Sequence, residues 1–121
     1  MVGKLRSAIA LALAVTALGT GAAVAHHGWS QYDDGVELDL TGEVLEASFA
    51  NPHATMRFQA DGKAWRVILA PPSRMASRGL TDAVLQPGVE ATVVGHPHRS
   101  DPEEMRAERV TVDGQTYEMN R

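Results

Sequence analysis

The sequence of 121 residues contains no cysteine, only six Trp, Tyr and Phe residues together, and fewer basic than acidic side chains. Without cysteine the chain can form neither a disulfide nor a thiolate metal site, and it offers no attachment point for a lipoprotein anchor. Eleven basic and fifteen acidic residues give a formal net charge of −4. Nucleic-acid binding depends on Lys and Arg that neutralise phosphates, so this balance argues against a nucleic-acid partner.

The sequence also lacks the short motifs of common enzyme chemistries. It contains no nucleophile elbow, phosphate-binding loop or paired-carboxylate motif. We therefore expect no enzymatic activity, and a copper-dependent oxidase is the remote alternative. The acidic clusters lack the alternating oxygen pattern of a calcium loop and are predicted to be solvated turns: Asp33, Asp34, Asp101, Glu103 and Glu104.

Long apolar runs are confined to the first 25 residues. Lys4 and Arg6 precede an apolar stretch over residues 8–18, and residues 23–25 (Ala-Val-Ala) form a small-x-small cleavage site. This succession is typical of a secretory signal peptide over residues 1–25. A membrane-spanning helix needs about 20 consecutive apolar residues, and glycine and threonine interrupt this run earlier. We expect a periplasmic or secreted protein with no membrane span after cleavage.

Cleavage would leave 96 residues with nine basic and fifteen acidic side chains, a formal charge of −6. That length fits one small domain. Residues 26–35 are polar and have no periodicity, so we predict an N-terminal arm there. Residues 36–121 show the alternation of apolar and polar residues that is typical of strands, and we predict a β-barrel domain over this range.

Turn signals divide the barrel domain into short strands. The Asp-Gly pairs at 61–62 and 113–114 predict two-residue hairpins, and a change of apolar parity at 44–45 predicts a bulge near Gly42. The strand succession predicts an all-β fold, a small OB-like antiparallel Greek-key barrel of five to six strands, with a short helical connection between strands three and four. An open antiparallel sandwich is the alternative, because sequence order alone does not fix strand pairing.

All the histidines follow the predicted cleavage site, at the start of the mature chain or beside a proline: His26, His27, His53, His96 and His98. In an OB-type barrel the loops after strands one and four lie at the same end and form the usual ligand site. His53 falls in the first of these loops, and His96 and His98 lie in or beside the second. Residues two apart on an extended chain point the same way, so this pair is predicted to bind one ion with His53.

Cleavage after Ala25 would also free the backbone amine of His26. An N-terminal histidine chelates through its amine and a ring nitrogen, and a second histidine completes a T-shaped arrangement called a histidine brace. Such nitrogen-rich planar geometry suits Cu(II), with zinc as the alternative. His27 is a further candidate ligand. This prediction requires the arm to double back from strand one towards the His53 loop.

Several short motifs occur along the mature chain, among them residues 26–27 (His-His), 51–53 (Asn-Pro-His) and 95–97 (Gly-His-Pro). With them the chain resembles a family of small exported bacterial proteins of unknown function. The resemblance covers essentially the whole mature chain. It implies export and the domain boundaries, and it supplies no mechanism.

The leading hypothesis is therefore a periplasmic or secreted protein that binds a transition metal ion, preferably copper, through the loop and N-terminal histidines. Its role would be metal buffering or delivery, with a periplasmic protein as a further expected partner. The alternative is a metal-independent binding module that uses the same end of the barrel for a peptide, an oligosaccharide or a partner protein.

Overall fold

The computed structural model describes residues 28–120, so His26, His27 and the predicted signal peptide lie outside the described residues. One turn of 3-10 helix, Trp29–Gln31, precedes the regular elements. The strands are β1 (Leu38–Ser48), β2 (Thr55–Ala60), β3 (Lys63–Ile68), β4 (Glu90–Pro97), β5 (Glu104–Val112) and β6 (Gln115–Glu118), and helix α1 (Pro72–Ser77) lies between β3 and β4. Between residues 28 and 120, no helix has the length and hydropathy that a membrane crossing requires.

The sheet closes on itself. Its strand order is β3-β2-β1-β4-β5-β6 with antiparallel neighbours, and a further parallel pairing joins residues 66–68 of β3 to residues 104–106 of β5. This pairing closes the first five strands into a barrel, and β6 extends the sheet beyond it. The predicted all-β small barrel is confirmed, and the open sandwich is excluded. The parallel pairing of β3 with β5 means that the barrel contains both antiparallel and parallel strand pairs. The sequence analysis predicted antiparallel pairs only.

The local signals for turns and helix are also confirmed. Asp61 and Gly62 join β2 to β3 with φ of 51° and 72°, and the Asp-Gly pair at 113–114 joins β5 to β6 with similarly positive values. Positive φ at both central residues matches the right-handed twist of the flanking strands, which explains why Asp-Gly forms these hairpins. The connection between β3 and β4 contains α1, whose Met75 is buried against the barrel.

Strand β1 bends so that one half pairs with β4 and the other half with β2. The predicted bulge exists: the register shifts between Val44 and Glu46, at the change of apolar parity and just after Gly42. Gly42 has a different role, because a Cβ there would lie 2.0 Å from the backbone oxygen of Gln59. Only glycine permits that approach of two backbones.

The barrel interior is filled by side chains from all five closed strands. Met56 and Trp65, which sequence patterning assigned to packing, are buried there. Fully buried members contributed by the barrel strands include Val44, Met56, Phe58, Val67, Val93 and Met105. The barrel interior is therefore packed with side chains and has no room for a ligand. Any ligand-binding site has to lie on the outer surface of the barrel or in its loops.

Strand β5 begins earlier than the sequence indicated. The predicted acidic turn included Glu104, but Glu104 is the first residue of β5 and is only 7% exposed. Its backbone pairs with Arg66 of β3, and its side chain bonds to the arm. The prediction for Glu104 was wrong because it assumed that every residue in a run of charges is solvated. Parallel pairing with β3 and a hydrogen bond from the Tyr32 phenol bury the Glu104 side chain instead.

A single methyl group should test the close approach of β4 and β5. A Cβ at Gly95 would lie 2.1 Å from the backbone oxygen of Arg106. We expect Gly95→Ala to lower the free energy of unfolding by about 3 kcal/mol, because neither backbone can retreat without breaking ladder hydrogen bonds. Urea denaturation followed by circular dichroism measures the loss. Gly28→Ala is the control, since its Cβ would make only an ordinary 3.8 Å contact; equal stability of the two variants would contradict the prediction.

Candidate functional site

An open cleft of about 810 Å³ lies where the N-terminal arm crosses the barrel. Its walls come from the arm, the β1–β2 loop, the start of α1, strands β4 and β5, and the C-terminal end. The lining residues are Trp29, Asp34, His53, Pro71, Arg74, His96, Arg106, Glu108 and Asn120. The cleft therefore combines an aromatic ring, two imidazoles and charges of both signs.

Backbone hydrogen bonds dock the arm onto the end of β4. The N–H of Asp33 donates to the oxygen of Pro97 at 2.9 Å, and the N–H of Arg99 donates to the oxygen of Gln31 at 2.9 Å. Tyr32 forms an isolated antiparallel bridge with His98 between these two bonds. The arm thus continues the antiparallel pairing of β1 as a short extra segment beside the end of β4.

Tyr32 anchors the arm through its side chain. It is 1% exposed, and its hydroxyl donates a 2.6 Å hydrogen bond to Oε2 of Glu104. Arg66 Nε lies 3.8 Å from the other oxygen of this carboxylate. Burial raises the pKa of Tyr32, and its hydrogen bond to Glu104 and the charge of that carboxylate act in the same direction. The phenol consequently remains a neutral donor beside a carboxylate whose own charge is compensated by a cation.

Trp29 forms the roof of the cleft. The guanidinium carbon of Arg106 lies 4.1 Å from the centroid of the Trp29 ring, a cation–π contact, and His96 meets the ring edge-on at 6.3 Å between centroids. Even with these contacts Trp29 is 40% exposed. An exposed indole held in a fixed orientation over a polar cleft is a surface on which a ligand can stack.

His96 is held at both ring nitrogens. Its Nδ1 lies 2.7 Å from the backbone oxygen of Val36, and its Nε2 lies 3.0 Å from Oε1 of Glu108. Both partners are acceptors, so the two contacts are satisfied together only by an imidazolium that donates twice. Burial lowers the pKa of His96, but the hydrogen bonds to Glu108 and Val36 outweigh burial and raise this pKa above its ordinary value.

His53 reaches the same cleft from the β1–β2 loop. The loop is fixed by its neighbour Ala54, whose N–H donates to Ala70 and whose oxygen accepts from Leu69. His53 and His96, which are 43 positions apart in the sequence, therefore line one cleft with Trp29 of the arm. Two of the five predicted histidines are brought together in this way.

His98 has a different environment from its neighbour His96. Its Nδ1 accepts backbone hydrogen bonds from Ser100 at 3.1 Å and Asp101 at 3.0 Å, and its ring meets Tyr32 edge-on at 5.2 Å between centroids. It is not among the residues that line the cleft. The expectation that His96 and His98 share one ion assumed a continuous strand, whereas β4 ends at Pro97 and His98 bonds to the following loop.

The described residues do not by themselves complete a metal site. Within residues 28–120 there is no group of three or more His, Asp or Glu side chains arranged to hold a metal ion. His26 and His27 lie outside that range. Of the candidate donors in the cleft, His96 and Glu108 are in contact, at 3.0 Å, so a site there needs further donors, either from a rearranged His53, from the chain before Gly28 or from a bound ligand.

Two arginines give the floor of the cleft a positive charge. Arg106 is 9% exposed, and burial lowers its pKa, an effect that the charge of Arg74 increases and the interaction with Tyr32 opposes. Arg74 projects from α1 and donates from Nη1 to the backbone oxygen of Met119 at 3.0 Å. Arg78, one turn later, donates in the same way to Glu118. The helix thus fixes the C-terminal end against the cleft.

Sequence reasoning missed the two cleft residues of β5, Arg106 and Glu108. Together with Glu104, which binds Tyr32, they alternate with Met105 and Ala107, which are fully buried in the core. An alternation of charged residues around a buried methionine indicates a strand whose second face carries paired charges. That signal was present in the sequence and could have identified all three residues.

Removing the Tyr32 hydroxyl should loosen the arm. We expect Tyr32→Phe to lower the free energy of unfolding by about 1–3 kcal/mol, because the buried Glu104 carboxylate loses its neutral donor. Tyr117→Phe is the matched control, since its hydroxyl makes no hydrogen bond within the described chain and Tyr117 is half-buried. Chemical denaturation measures both. Equal losses in the two variants would show that the hydroxyl of Tyr32 does not fasten the arm.

The raised pKa of His96 should make stability depend on pH. A protonated group with a raised pKa in the folded protein stabilises it fully below the unfolded value of about 6.5, and this stabilisation is lost as the pH rises through the folded pKa. We therefore expect the stability advantage of the wild type over His96→Gln to shrink by about 1 kcal/mol between pH 6 and pH 9. The stability advantage of the wild type over Glu108→Gln should shrink in the same way. Urea midpoints of all three proteins across this pH range measure both advantages. If they stay constant or grow as the pH rises, His96 is not an imidazolium in the folded protein.

Comparison with known proteins identifies a solved structure with a similar fold and a sequence family that matches most of the chain. The fold is similar to part of a solved structure described as "Crystal structure of the ZRD-deleted mutant of TiaS in complex with agmatine", with a TM-score of 0.52 and 15% identity over 72% of this chain. The chain spans 27% of that structure, and at this identity the likeness concerns the fold alone. The chain matches no curated protein sequence. A family model does match residues 13–106, and so, as its motifs predict, the chain belongs to a family of unknown function, DUF6152.

Proposed function

We propose that the protein binds a transition metal ion, preferably Cu(II), in the cleft under Trp29, and that it buffers or delivers this ion in the periplasm or outside the cell. The observation that carries the proposal is that His53 and His96, from separate segments of the chain, line one cleft with the arm. Trp29 of the arm lines the cleft, and covalent connectivity limits how far from Trp29 the two predicted N-terminal ligands can lie. Consecutive Cα atoms are about 3.8 Å apart, so the Cα of His27 lies within about 7.6 Å of that of Trp29, and the Cα of His26 within about 11 Å.

The environment of His96 suits a ligand. Metal-binding histidines commonly donate their second ring N–H to a backbone carbonyl, which fixes the ring and leaves the other nitrogen for the metal. Nδ1 of His96 has such a partner in the oxygen of Val36 at 2.7 Å. Nε2, which contacts Oε1 of Glu108, is then the nitrogen that the proposal assigns to the metal.

The spacing of His96 and Glu108 also fits a shared ion. Two donor atoms bound side by side to one ion at about 2.0–2.1 Å lie about 3 Å apart. Nε2 of His96 and Oε1 of Glu108 are 3.0 Å apart, with a proton between them. An ion that displaces this proton would lie to one side of the line between the two atoms, so their separation can stay near 3 Å while the imidazole and the carboxylate reorient towards it. In the proposal, the His26 amine, His27 and His53 add the nitrogen atoms that favour copper.

Metal titration of the mature chain tests the proposal. Residues 26–121 with a free amine are titrated with Cu(II) and Zn(II), and a form extended by one N-terminal alanine is titrated in parallel. We expect one Cu(II) per chain, affinity that falls at least tenfold in the extended form, and nitrogen couplings in the electron paramagnetic resonance spectrum. Affinity should also fall below about pH 6.5, where protons compete for imidazole.

Histidine variants test whether Cu(II) binds in the cleft or at the loop that contains His98. His53→Gln and His96→Gln should each weaken Cu(II) binding at least tenfold. His98→Gln is the matched control and should leave the affinity within a factor of two, because His98 lies outside the cleft. Absence of stoichiometric binding tighter than micromolar would refute metal binding, and the metal-independent binding module would then be the better hypothesis.

A further inference from the structure

The arm carries two aromatic rings in contact, one exposed at the cleft and the other buried. The chain has two tryptophans and two tyrosines in all, and Trp29 and Tyr32 are one of each. Their ring centroids lie 6.4 Å apart at an interplanar angle of 69°, an edge-to-face contact. Trp29 is 40% exposed, whereas Tyr32 is 1% exposed. Two side chains that are readily oxidised by one electron therefore connect solvent to a shielded phenol.

The Tyr32 hydroxyl already has a proton acceptor in contact. It donates to Oε2 of Glu104 over 2.6 Å, a length typical of a hydrogen bond from a hydroxyl to a charged oxygen. A phenol that loses one electron becomes a strong acid, so its proton moves to such an acceptor as the electron leaves. Burial and this hydrogen bond raise the pKa of Tyr32, so the phenol keeps its proton until it is oxidised. Glu104 thus assists oxidation of Tyr32 without ionising it beforehand.

The charges near the two rings favour oxidation of Tyr32 over that of Trp29. The guanidinium carbon of Arg106 lies 4.1 Å from the centroid of the Trp29 ring, so this cation opposes positive charge on an oxidised indole. Oxidised Tyr32 is neutral once its proton lies on Glu104. Arg66, 3.8 Å from the other carboxylate oxygen, has a largely exposed side chain and remains solvated when Glu104 becomes neutral. An oxidising equivalent on the indole is therefore driven towards the phenol.

The second tryptophan and the second tyrosine lack this arrangement. Trp65 is buried in the core, with Nζ of Lys63 3.8 Å from its ring centroid. Tyr117 is half-buried, and its hydroxyl makes no hydrogen bond within the described chain. In the part of the chain that the structure describes, Trp29 and Tyr32 form the one contact between a tryptophan ring and a tyrosine ring.

We propose that Trp29 and Tyr32 form a relay that carries the oxidising equivalent of a small one-electron oxidant, a radical from solution, from the cleft to a buried tyrosyl radical. The oxidant takes one electron from Trp29, and the indole N–H proton goes to water. Tyr32 then gives one electron to the Trp29 radical and its hydroxyl proton to Oε2 of Glu104, while the indole nitrogen regains a proton from water.

The sum of the two steps balances without a metal ion. The oxidant is reduced by one electron, the O–H bond of Tyr32 breaks, and an O–H bond forms on Glu104. The oxidising equivalent leaves a cleft that is lined by an indole and the imidazoles of His53 and His96. The relay would therefore protect these side chains, and it does not rest on the proposed copper site.

Pulse radiolysis with azide radicals tests the relay. The azide radical is a one-electron oxidant of exposed indoles, and the indolyl and tyrosyl radicals absorb in separate bands. The mature chain is used with excess EDTA, so the result is independent of metal binding. We expect the indolyl absorption to decay as the tyrosyl absorption grows, with a rate constant that does not depend on protein concentration. Transfer should be slower in D2O, because a proton moves with the electron.

Conservative variants assign the two radicals to residues. Tyr32→Phe should abolish the growth of tyrosyl absorption, and Trp29→Phe should remove the indolyl signal that precedes it. Tyr117→Phe is the matched control and should keep the rate of the wild type. Glu104→Gln keeps an acceptor oxygen but cannot take the proton, so it should slow the transfer by about tenfold or more. Circular dichroism checks the fold of each variant.

Several results would contradict the relay. A rate that rises with protein concentration would show transfer between molecules, and tyrosyl absorption that still grows in Tyr32→Phe would place the radical on Tyr117. Decay of the indolyl radical without a tyrosyl product would refute the proposal outright. An unchanged rate in Glu104→Gln would remove the carboxylate as proton acceptor; if this variant does not fold, absence of a solvent isotope effect in the wild type overturns the same step. These outcomes stand whether or not Cu(II) binds in the separate titration.

Discussion

The parallel pairing of β3 with β5 is the constraint on which the cleft depends. It sets residues 66–68 against residues 104–106 and closes the barrel. Because Pro71 and α1 follow β3 directly, closure also brings Arg74 to the side of Arg106 and Glu108. The same pairing buries Glu104, which gives Tyr32 its acceptor. One pair of strands thus fixes both the floor of the cleft and the anchor of the arm above it.

The arm converts an open barrel surface into a cleft. Tyr32 is almost wholly buried, whereas Trp29, three residues earlier, is 40% exposed. This difference means that the arm is held at Tyr32, while the Trp29 indole stays partly exposed at the cleft. Since Trp29 also contacts Arg106 and His96, movement of the arm would alter the positions of a cation, an imidazole and the stacking surface together. Binding of the proposed ligand in the cleft would therefore be thermodynamically linked to docking of the arm.

The fold was largely predictable from the sequence because its determinants are local. Asp-Gly turns, apolar alternation and a parity change each act within a few residues, and they located the hairpins and the bulged first strand. The parallel closing pair and the burial of Glu104 depend on contacts between distant segments, so local patterns did not reveal them. His53 and His96 were identified by assuming an OB-like topology. His98 shows the limit of that method, because the end of β4 at Pro97 gives neighbouring histidines different surroundings.

The proposed metal site would use the pair of His96 and Glu108, whose contact of 3.0 Å lies in the same cleft as two arginines. An ion bound there would add positive charge to a wall that already carries Arg74 and Arg106, which costs free energy unless negative groups compensate it. Asp34 and Glu108 line the same cleft, so the wall already contains carboxylates that offset part of this charge. The balance of charges in the cleft is therefore as important to the proposal as the number of nitrogen donors.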